Sequence, residues 1–490
     1  MYVAKYNADG GFLGANNIDF NDLEDRANGI TLSNDETRLY VVGQVEAAAD
    51  NNQVYVAALS AANLQFQQSF ISNAAGDERG QSVSVHSNGN VYITGYYETS
   101  FSMGAVSGNS TQGLFVVVLN GALSNVLRGR TATGTARVRC GGLDIDGNGN
   151  AYVTGEFNNT LTFPGSGSRT SNGDSDIFFA KYNVTNNNFE MVTQVGGSSN
   201  DRSRSIALGN NSLYITGDFR GSTNFNPSGG GGESNLTAAT EYDFFVARYS
   251  LNGEFQNIYQ VGGTGSRSFE QGNDVFFRNG KVYVTGRVTV TSRDEGDNRF
   301  FQGGGGNSES DAFLAIFDND LNNPEFVNRF GSTNLDFGNA VTATSDEKIY
   351  VGGFANWARS NGGDLLDNTK DSYLVKFAEE EEEVPDPEFT VNEKLSSQLL
   401  ESVTLGGRDA ILTDFDTDGD MDLAVAFKLG SSVRWYRNNN GTFSTGIPLQ
   451  NNLENPRTLS SADFDGTNGP DIVLADDDND GSELRRYRYS

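Results

Sequence analysis

A single cysteine and a single histidine stand among the 490 residues. The one cysteine, Cys140, excludes an internal disulfide framework and any cysteine-built zinc cluster. The histidine, His86, sits in the turn sequence HSNGN with no nucleophile tied to it, so it reads as a solvated hairpin residue rather than a catalytic base. Proline is scarce, at 8, and no apolar run reaches the roughly 18 residues that a membrane-crossing helix needs. Basic residues are also few: 34 Lys and Arg against 64 Asp and Glu leave a formal charge of −30. A field of that sign repels nucleic acid and anionic membranes and attracts cations. No basic cluster along the chain offsets it.

What the chain has in quantity is glycine, 59 residues, together with Asn, Ser, Thr and Phe. That mixture suits short strands joined by many turns. Its length calls for several domains or one repeat array. A repeat is present. The segments RLYVVG, NVYITG, NAYVTG, SLYITG, KVYVTG and KIYVGG place tyrosines at Tyr40, Tyr92, Tyr152, Tyr214, Tyr283 and Tyr350, 52 to 69 residues apart. Each is followed by a second apolar segment such as QVYVAAL, DIFFAKY or DFFVARY, and then by a segment ending in glycine, as in TQVGG.

Each unit therefore reads as four strands, A to D, with Asn-Gly turns supplying the positive φ of tight hairpins. No helical periodicity competes. A four-stranded sheet of this size hides its faces only against neighbouring sheets, and radial repetition closes such a stack into a β-propeller. Counting strands gives a C and D pair (MYVAKYN and FLGANNIDF), five full units, and a closing A, B and C: 2 + 20 + 3 = 25 strands. Seven blades need 28, so the expected ring is seven-bladed, with strands A and B of one blade before Met1 and a final D unaccounted for. A six-bladed ring is the alternative. Since MYVAKYN already reads as a strand, no signal peptide precedes the fold; the chain is either cytosolic or numbered from a point downstream of its natural start.

The B-to-C connections after Gly217 and Gly286 are about 25 residues each, a length that is usually functional or disordered. Phe163, Phe225 and Phe301 occupy similar places in three such connections and are expected to pin each loop to its blade. The alternative is an aromatic rim for a sugar or a partner protein. The stretch DIFFAKYNVTNNNFEMVTQVGGSSNDRSRSIALGNNSLYITGDF resembles the β-propeller repeat of secreted and surface-exposed bacterial proteins of the Bacteroidetes type. That resemblance covers residues 1–378 and implies an extracellular, usually non-enzymatic propeller.

Residues 379–389 lie in AEEEEEVPDPEF, where consecutive glutamates repel and two prolines stiffen the exit, so they read as an acidic linker. Residues 390–490 hold two further units, each a strand, an acidic loop and two more strands, and these resemble FG-GAP repeats of the integrin-α type. Two such repeats make an incomplete second propeller. In DFDTDGDMD, Asp414, Asp416, Asp418, Asp420 and Asp422 fill every second position and Gly419 permits a sharp turn. Hard cations such as Ca²⁺ take six to eight oxygens, so a coiling loop of alternate carboxylates suits them. The resemblance implies ligation by the side chains of Asp414, Asp416, Asp418 and Asp422 and by the carbonyl of Asp420.

Strands flank this loop, and the twelfth position is Val425, so it is not an EF-hand. Five crowded aspartates without a cation would repel one another strongly. In the second unit Asp463, Asp465, Thr467, Gly469 and Asp471 hold the matching positions, with Thr467 in place of an acid and Asn468 in place of the glycine, a weaker site for Ca²⁺. Two similar acidic stretches read as turns: LDIDGNGNAY, with Asp144, Asp146 and Asn148, and ADDDNDGSE.

No nucleophile–base pair, phosphate loop or histidine cluster appears, so no enzyme is expected. The expected function is adhesion or scaffolding at a bacterial surface, secreted or cell-surface, stiffened by Ca²⁺ and binding a protein or glycan partner through the propeller's loops. A carbohydrate-binding or carbohydrate-active protein (lectin, glycosidase or lyase) is the second expectation. A subunit of a surface layer or filament, a homo-oligomer or larger assembly built on exposed sheet edges, is the third.

Overall fold

The recurring Tyr-x-Thr-Gly of strand B explains how one sheet is built and how it meets the next. Thr94, Thr154, Thr216 and Thr285 are fully buried. Each hydroxyl donates to a carbonyl of strand C, on Phe115, Phe178, Phe245 and Phe313, at 2.6–2.8 Å. The tyrosine reaches further. The hydroxyls of Tyr40 and Tyr214 donate to carbonyls of the following unit's C-to-D turn, on Gly121 at 2.6 Å and Asn319 at 2.7 Å. The glycine leaves room for strand A: a Cβ on Gly43 would lie 1.8 Å from the Arg26 carbonyl oxygen, and one on Gly217 1.9 Å from that of Arg202. Strand A bulges beside this glycine in six sheets. The bulge explains the close approach.

The structure is a computed structural model. It describes residues 2–377 except 8–10, 19, 21–24, 49–50, 74–75, 230–233, 239–240, 264–268, 290–291, 294–309, 331–334 and 357–369, and residues 407–487 except 428–431, 440–441, 452–455, 463–470 and 479–480. The chain divides into two compact units, Met1–Glu381 and Glu382–Ser490. The acidic linker 379–389 lies outside the described residues. Among the described residues there are strands and no helix, so none is long and apolar enough to cross a membrane.

In the first unit, sheet 1 pairs Tyr2–Tyr6 with Phe12–Asn17. Sheet 2 runs Asp25–Leu32, Arg38–Ala48, Asn51–Ser60 and Phe66–Ile71 as strands A to D. Sheet 3 runs Glu78–Val85, Val91–Met103, Val106–Leu119 and Val126–Gly134. Sheet 4 runs Val138–Ile145, Ala151–Phe157, Asp176–Asn183 and Asn188–Gly197, and sheet 5 Asp201–Gly209, Ser212–Phe219, Asp243–Ser250 and Phe255–Gly263. Sheet 6 runs Gln271–Arg278, Lys281–Thr289, Ser310–Asp318 and Phe326–Phe330; sheet 7 stops at three strands, Asp336–Ala343, Ile349–Asn356 and Lys370–Phe377.

Apolar cores sit between consecutive sheets, for example Val56, Ile93 and Phe115 between sheets 2 and 3, and Phe244, Val284 and Phe313 between sheets 5 and 6. The six A strands of sheets 2 to 7 line one channel of about 830 Å³. Strands A innermost, outer faces stacked sheet on sheet: this is a β-propeller, as the repeat predicts.

The long B-to-C connections differ from the sequence reading. They form strands of their own and cross to the preceding sheet. Thr160–Phe163 and Gly167–Thr170, from the connection in sheet 4, pair with strand D of sheet 3 through Thr133↔Thr162 and Gly134↔Leu161. Ser222–Asn224 and Asn235–Thr237, from sheet 5, extend sheet 4 through Gly196↔Asn224 and Gly197↔Thr223. Ser292–Arg293, from sheet 6, pairs with the end of sheet 5. An exposed outer strand is a pairing hazard, and here the neighbour's connection covers part of it. Phe163 and Phe225 are fully buried, Phe163 against Phe178 and Phe189, Phe225 against Phe219 and Phe245. Both pin their loops to the blades; Phe301 lies outside the described residues.

In the second unit, Gly407–Thr413, Asp422–Phe427, Ser432–Tyr436 and Ile447–Asn451 form one sheet, and Pro456–Ala462, Asp471–Asp478 and Gly481–Tyr487 another. The fourth strand of the first sheet was not legible in a unit read as three strands. Ala424, Ala426, Val433 and Trp435 of the first sheet, with Phe415 of the loop between its first two strands, share a core with Leu459 and Ile472 of the second.

Candidate metal centre

The aspartate loop leaves strand Gly407–Thr413 at Asp414 and returns into the next strand at Asp422. Phe415 anchors it: the ring is buried and meets Trp435 edge-on at 5.3 Å. Thr417 and Gly419 take φ of 62° and 98°, so the chain turns sharply twice. The carboxylate of Asp414 accepts the Asp418 and Gly419 N–H groups, both at 3.1 Å. Asp418 accepts the Asp420 N–H at 3.0 Å. Asp422, fully buried, accepts Phe415 N–H at 3.1 Å and Asn438 N–H at 2.7 Å. These bonds hold the carboxylates in a fixed coil.

Asp414, Asp416 and Asp422 converge, each offering an oxygen within 4.8 Å of the others. The side chain of Asp416 is 1% exposed, and neither of its oxygens has a hydrogen-bond partner among the described residues. Its neighbour is the guanidinium of Arg437, whose Nε lies 2.5 Å from Asp416 Oδ2 as an ion pair and whose Nη2 lies 3.1 Å from Asp418 Oδ2. Burial, then the charge of Asp422, pushes the Asp416 carboxyl up; the Asp420 N–H and Arg437 hold Asp418 down. One guanidinium against five carboxylates leaves the loop strongly negative. Three carboxylates brought this close repel one another, which a cation between them would offset. An all-oxygen donor set with a glycine at its turn fits a hard divalent cation. Asp418 turns to Arg437 and stands outside the converging three; the Asp420 side chain is partly exposed.

Of the second loop, Asp463, Asp465, Thr467 and Gly469 lie outside the described residues, and Asp471 is placed only as the first residue of its strand. The two similar stretches are turns. Asp146 accepts the N–H groups of Asn148 and Asn150, and Asp144 accepts those of Ile145 and Leu208. The pairing Asp478↔Gly481 makes ADDDNDGSE a hairpin tip. His86 stands in its hairpin turn, partly exposed, its N–H on the Asn90 carbonyl at 3.0 Å and its Nε2 3.2 Å from the Gly147 carbonyl. Cys140 is buried, 3.3 Å from the Thr94 hydroxyl, and burial pushes its thiol up to about 12.

Sequence reading missed two features. Arg437, the counter-charge of the aspartate loop, lies 15 residues beyond its last acid and carries no motif. The other is an arginine cluster interleaved with acids. Arg79, Arg139, Arg202 and Arg204 come from successive A strands, and Arg287 from a B strand. They gather at the end of the channel that carries the B-to-C connections, because the ring brings together what the sequence spaces one repeat apart. Their register was the signal: an acid–Arg pair opens strand A at Asp25-Arg26, Glu78-Arg79 and Asp201-Arg202.

Residues 414–481 match the FG-GAP-like repeat family. No curated protein matches the chain in sequence. Among solved structures, a quinohemoprotein alcohol dehydrogenase from Pseudomonas putida is 10% identical, with a TM-score of 0.36; the match covers 73% of this chain and 60% of that one. The chain thus spans about 60% of that enzyme's length. A putative 6-phosphogluconolactonase from Bacteroides fragilis is 11% identical (TM-score 0.37, covering 76% and 90%). The polysaccharide lyase Uly1 is 9% identical (TM-score 0.35, covering 96% and 91%).

Proposed function

We propose that this chain is a calcium-binding, non-enzymatic binding scaffold that works outside the cell. Its propeller presents the B-to-C connections to a protein or glycan partner at a surface, and Ca²⁺ orders the FG-GAP-like unit. The observation that carries the reading is the convergence of Asp414, Asp416 and Asp422, which offer oxygens within 4.8 Å of one another. Ca²⁺ would be held by Asp414, Asp416 and Asp422, with Arg437 leaving a net negative site that still attracts a divalent cation.

The non-enzymatic part rests on how the propeller spends its buried acids. Asp201 accepts Gly197 N–H and the Thr223 hydroxyl, Asp176 accepts Asn172 N–H and the Gln194 amide, and Glu78 accepts Val54 and Ser102 N–H. These acids fix loops, which leaves none of them free as a general acid. Isothermal titration of the full chain with Ca²⁺ tests the metal, and a reducing-sugar assay over a polysaccharide panel tests the absence of catalysis. Failure to bind Ca²⁺ ends the first part of the reading, and turnover of any polysaccharide ends the second.

A further inference from the structure

We infer that the gap between sheets 7 and 2 is a docking seat for a β-hairpin carried by a partner protein, a two-stranded segment built like strands A and B of this chain's own repeat. The seat uses neither the aspartate loop nor the B-to-C connections, and so goes beyond the function proposed above.

The repeat supplies its own standard for a filled junction. Ile30 of strand A pairs with Val41 of strand B, and the same place in sheets 3 to 7 is held by Val83, Leu143, Ile206, Val275 and Val341. Those five are 3–7% exposed, each in the core shared with the sheet before it, whereas Ile30 is 56% exposed. Sheet 7 shows the matching break. Leu374 follows the strand-C residue that pairs with the strand-B glycine. Its counterparts Val56, Val116, Phe179, Val246 and Leu314 are 0% exposed, and Leu374 is 48% exposed. Both residues line the channel, Ile30 with Leu32 and Leu39, and Leu374 with Tyr350. A single exposed apolar residue is ordinary. Two that the other junctions bury mark a neighbour that is wanting.

Sheet 1 shows which neighbour. Its strands Tyr2–Tyr6 and Phe12–Asn17 correspond to C and D of the repeat, and among the described residues no A or B strand joins them. Val3 shares a core with Val41, Tyr55 and Ala57 of sheet 2. Sheet 1 therefore stands where a preceding blade belongs, with its outer strands present and its inner ones lacking. A cavity of about 260 Å³ lies between Tyr2, Val3 and Ala4 on one side and Ala27, Gly29 and Ile30 on the other, where a strand B would run. The edge of Tyr2–Tyr6 away from Phe12–Asn17 is a free strand edge among the described residues. Such an edge pairs with an added strand through its main-chain N–H and C=O groups.

The occupant follows from what the seat offers. A free strand edge beside apolar walls calls for a polypeptide, since a main-chain ladder and alternate apolar side chains are what it can match. Sheets 2 to 6 all place an A and a B strand inside their C strand, so the room is that of a hairpin. In those sheets strand B brings a tyrosine that is buried against the following sheet; an aromatic at this place in the occupant would cover Ile30. Among the described residues no strand of this chain enters the seat. A second copy has no hairpin to lend, because each A–B pair described is already built into one of its own sheets 2 to 7. A partner protein is left as the donor.

The test is calorimetric titration of the full chain with a synthetic peptide of the sequence Asp201–Phe219, DRSRSIALGNNSLYITGDF, the A–B hairpin of sheet 5. The same residues in scrambled order and the strand-B half Ser212–Phe219 serve as comparisons. The hairpin peptide alone should bind and slow amide exchange across Tyr2–Tyr6. Binding should weaken about tenfold or more in both Ile30→Asp and Leu374→Asp and stay unchanged in Leu127→Asp, an exposed residue on the outer strand of sheet 3. Unchanged melting temperatures establish that the variants fold. No binding up to about 1 mM, equal binding by the two seat variants, or equal binding of the scrambled peptide overturns the seat. Equal binding of the strand-B half overturns the hairpin. Self-association of the chain alone that Ile30→Asp abolishes would name a second copy as the occupant, and slow exchange at Tyr2–Tyr6 without peptide would name a segment of this chain. Either result overturns the partner.

Discussion

Replacing Phe163 by Ala tests whether the long connections are structural pins. The ring is fully buried and touches Phe178 at 5.5 Å and Phe189 at 5.3 Å. Truncating a phenylalanine in such a place costs about 3–5 kcal/mol. The hairpin that carries it is tied to strand D of sheet 3 by two register pairs, and to sheet 4 by the Phe189 N–H on the Pro164 carbonyl at 2.9 Å, the Ser166 hydroxyl on the Phe189 carbonyl at 2.8 Å and Arg169 on the Val192 carbonyl at 3.0 Å. Opening this hairpin alone therefore costs less than unfolding a blade, and the loss should appear first as local opening. Amide exchange across Thr160–Thr170 should accelerate about a hundredfold, the equivalent of roughly 3 kcal/mol. Denaturant unfolding should show a smaller global loss. Phe66, which is exposed, serves as the control; its truncation should cost less than about 1 kcal/mol. If Phe163→Ala leaves both exchange and stability unchanged, the aromatic is not a pin.

Other predictions follow from the repeat and its acids. Gly217→Ala places a Cβ 1.9 Å from the Arg202 carbonyl and should lower stability by roughly 3 kcal/mol or more in denaturant titration, since the contact is with backbone in a close-packed interior. Tyr214→Phe removes the hydrogen bond to Asn319 and should cost about 1 kcal/mol. Burial raises Glu78 and Asp201 to about 7, and Asp144 and Asp274 to about 6. These groups take up protons on folding, so the stability they contribute is complete below their unfolded values near 4 and is lost as pH rises through 6 to 7. The propeller should melt higher at pH 5 than at pH 8 in a thermal scan; an opposite trend contradicts their burial as acids.

The propeller was legible because its signal repeats: Tyr and Gly recur in register in all six repeats and Thr in four of them, where its hydroxyl makes the same contact with strand C. Strand order and the burial of Phe163 and Phe225 followed from that register. The crossing of the B-to-C connections onto the preceding sheet did not, because their pairings, such as Gly196↔Asn224, involve glycine and asparagine with no hydrophobic alternation to reveal them. The arginine cluster was hidden for a different reason. Arg79, Arg139 and Arg202 are isolated along the chain and become neighbours only when the sheets stack around an axis. In the second unit, alternate aspartates disclosed the loop, whereas Arg437 was found only by its position next to Asp416.

Trp435 makes the central claim measurable, since its indole is packed on Phe415 inside the aspartate loop. Terbium placed in that loop should glow when tryptophan is excited, fade as Ca²⁺ is added, and give no signal in Asp416→Ala. Undiminished terbium emission in Asp416→Ala, or emission indifferent to Ca²⁺, would show that the converging aspartates hold no hard cation.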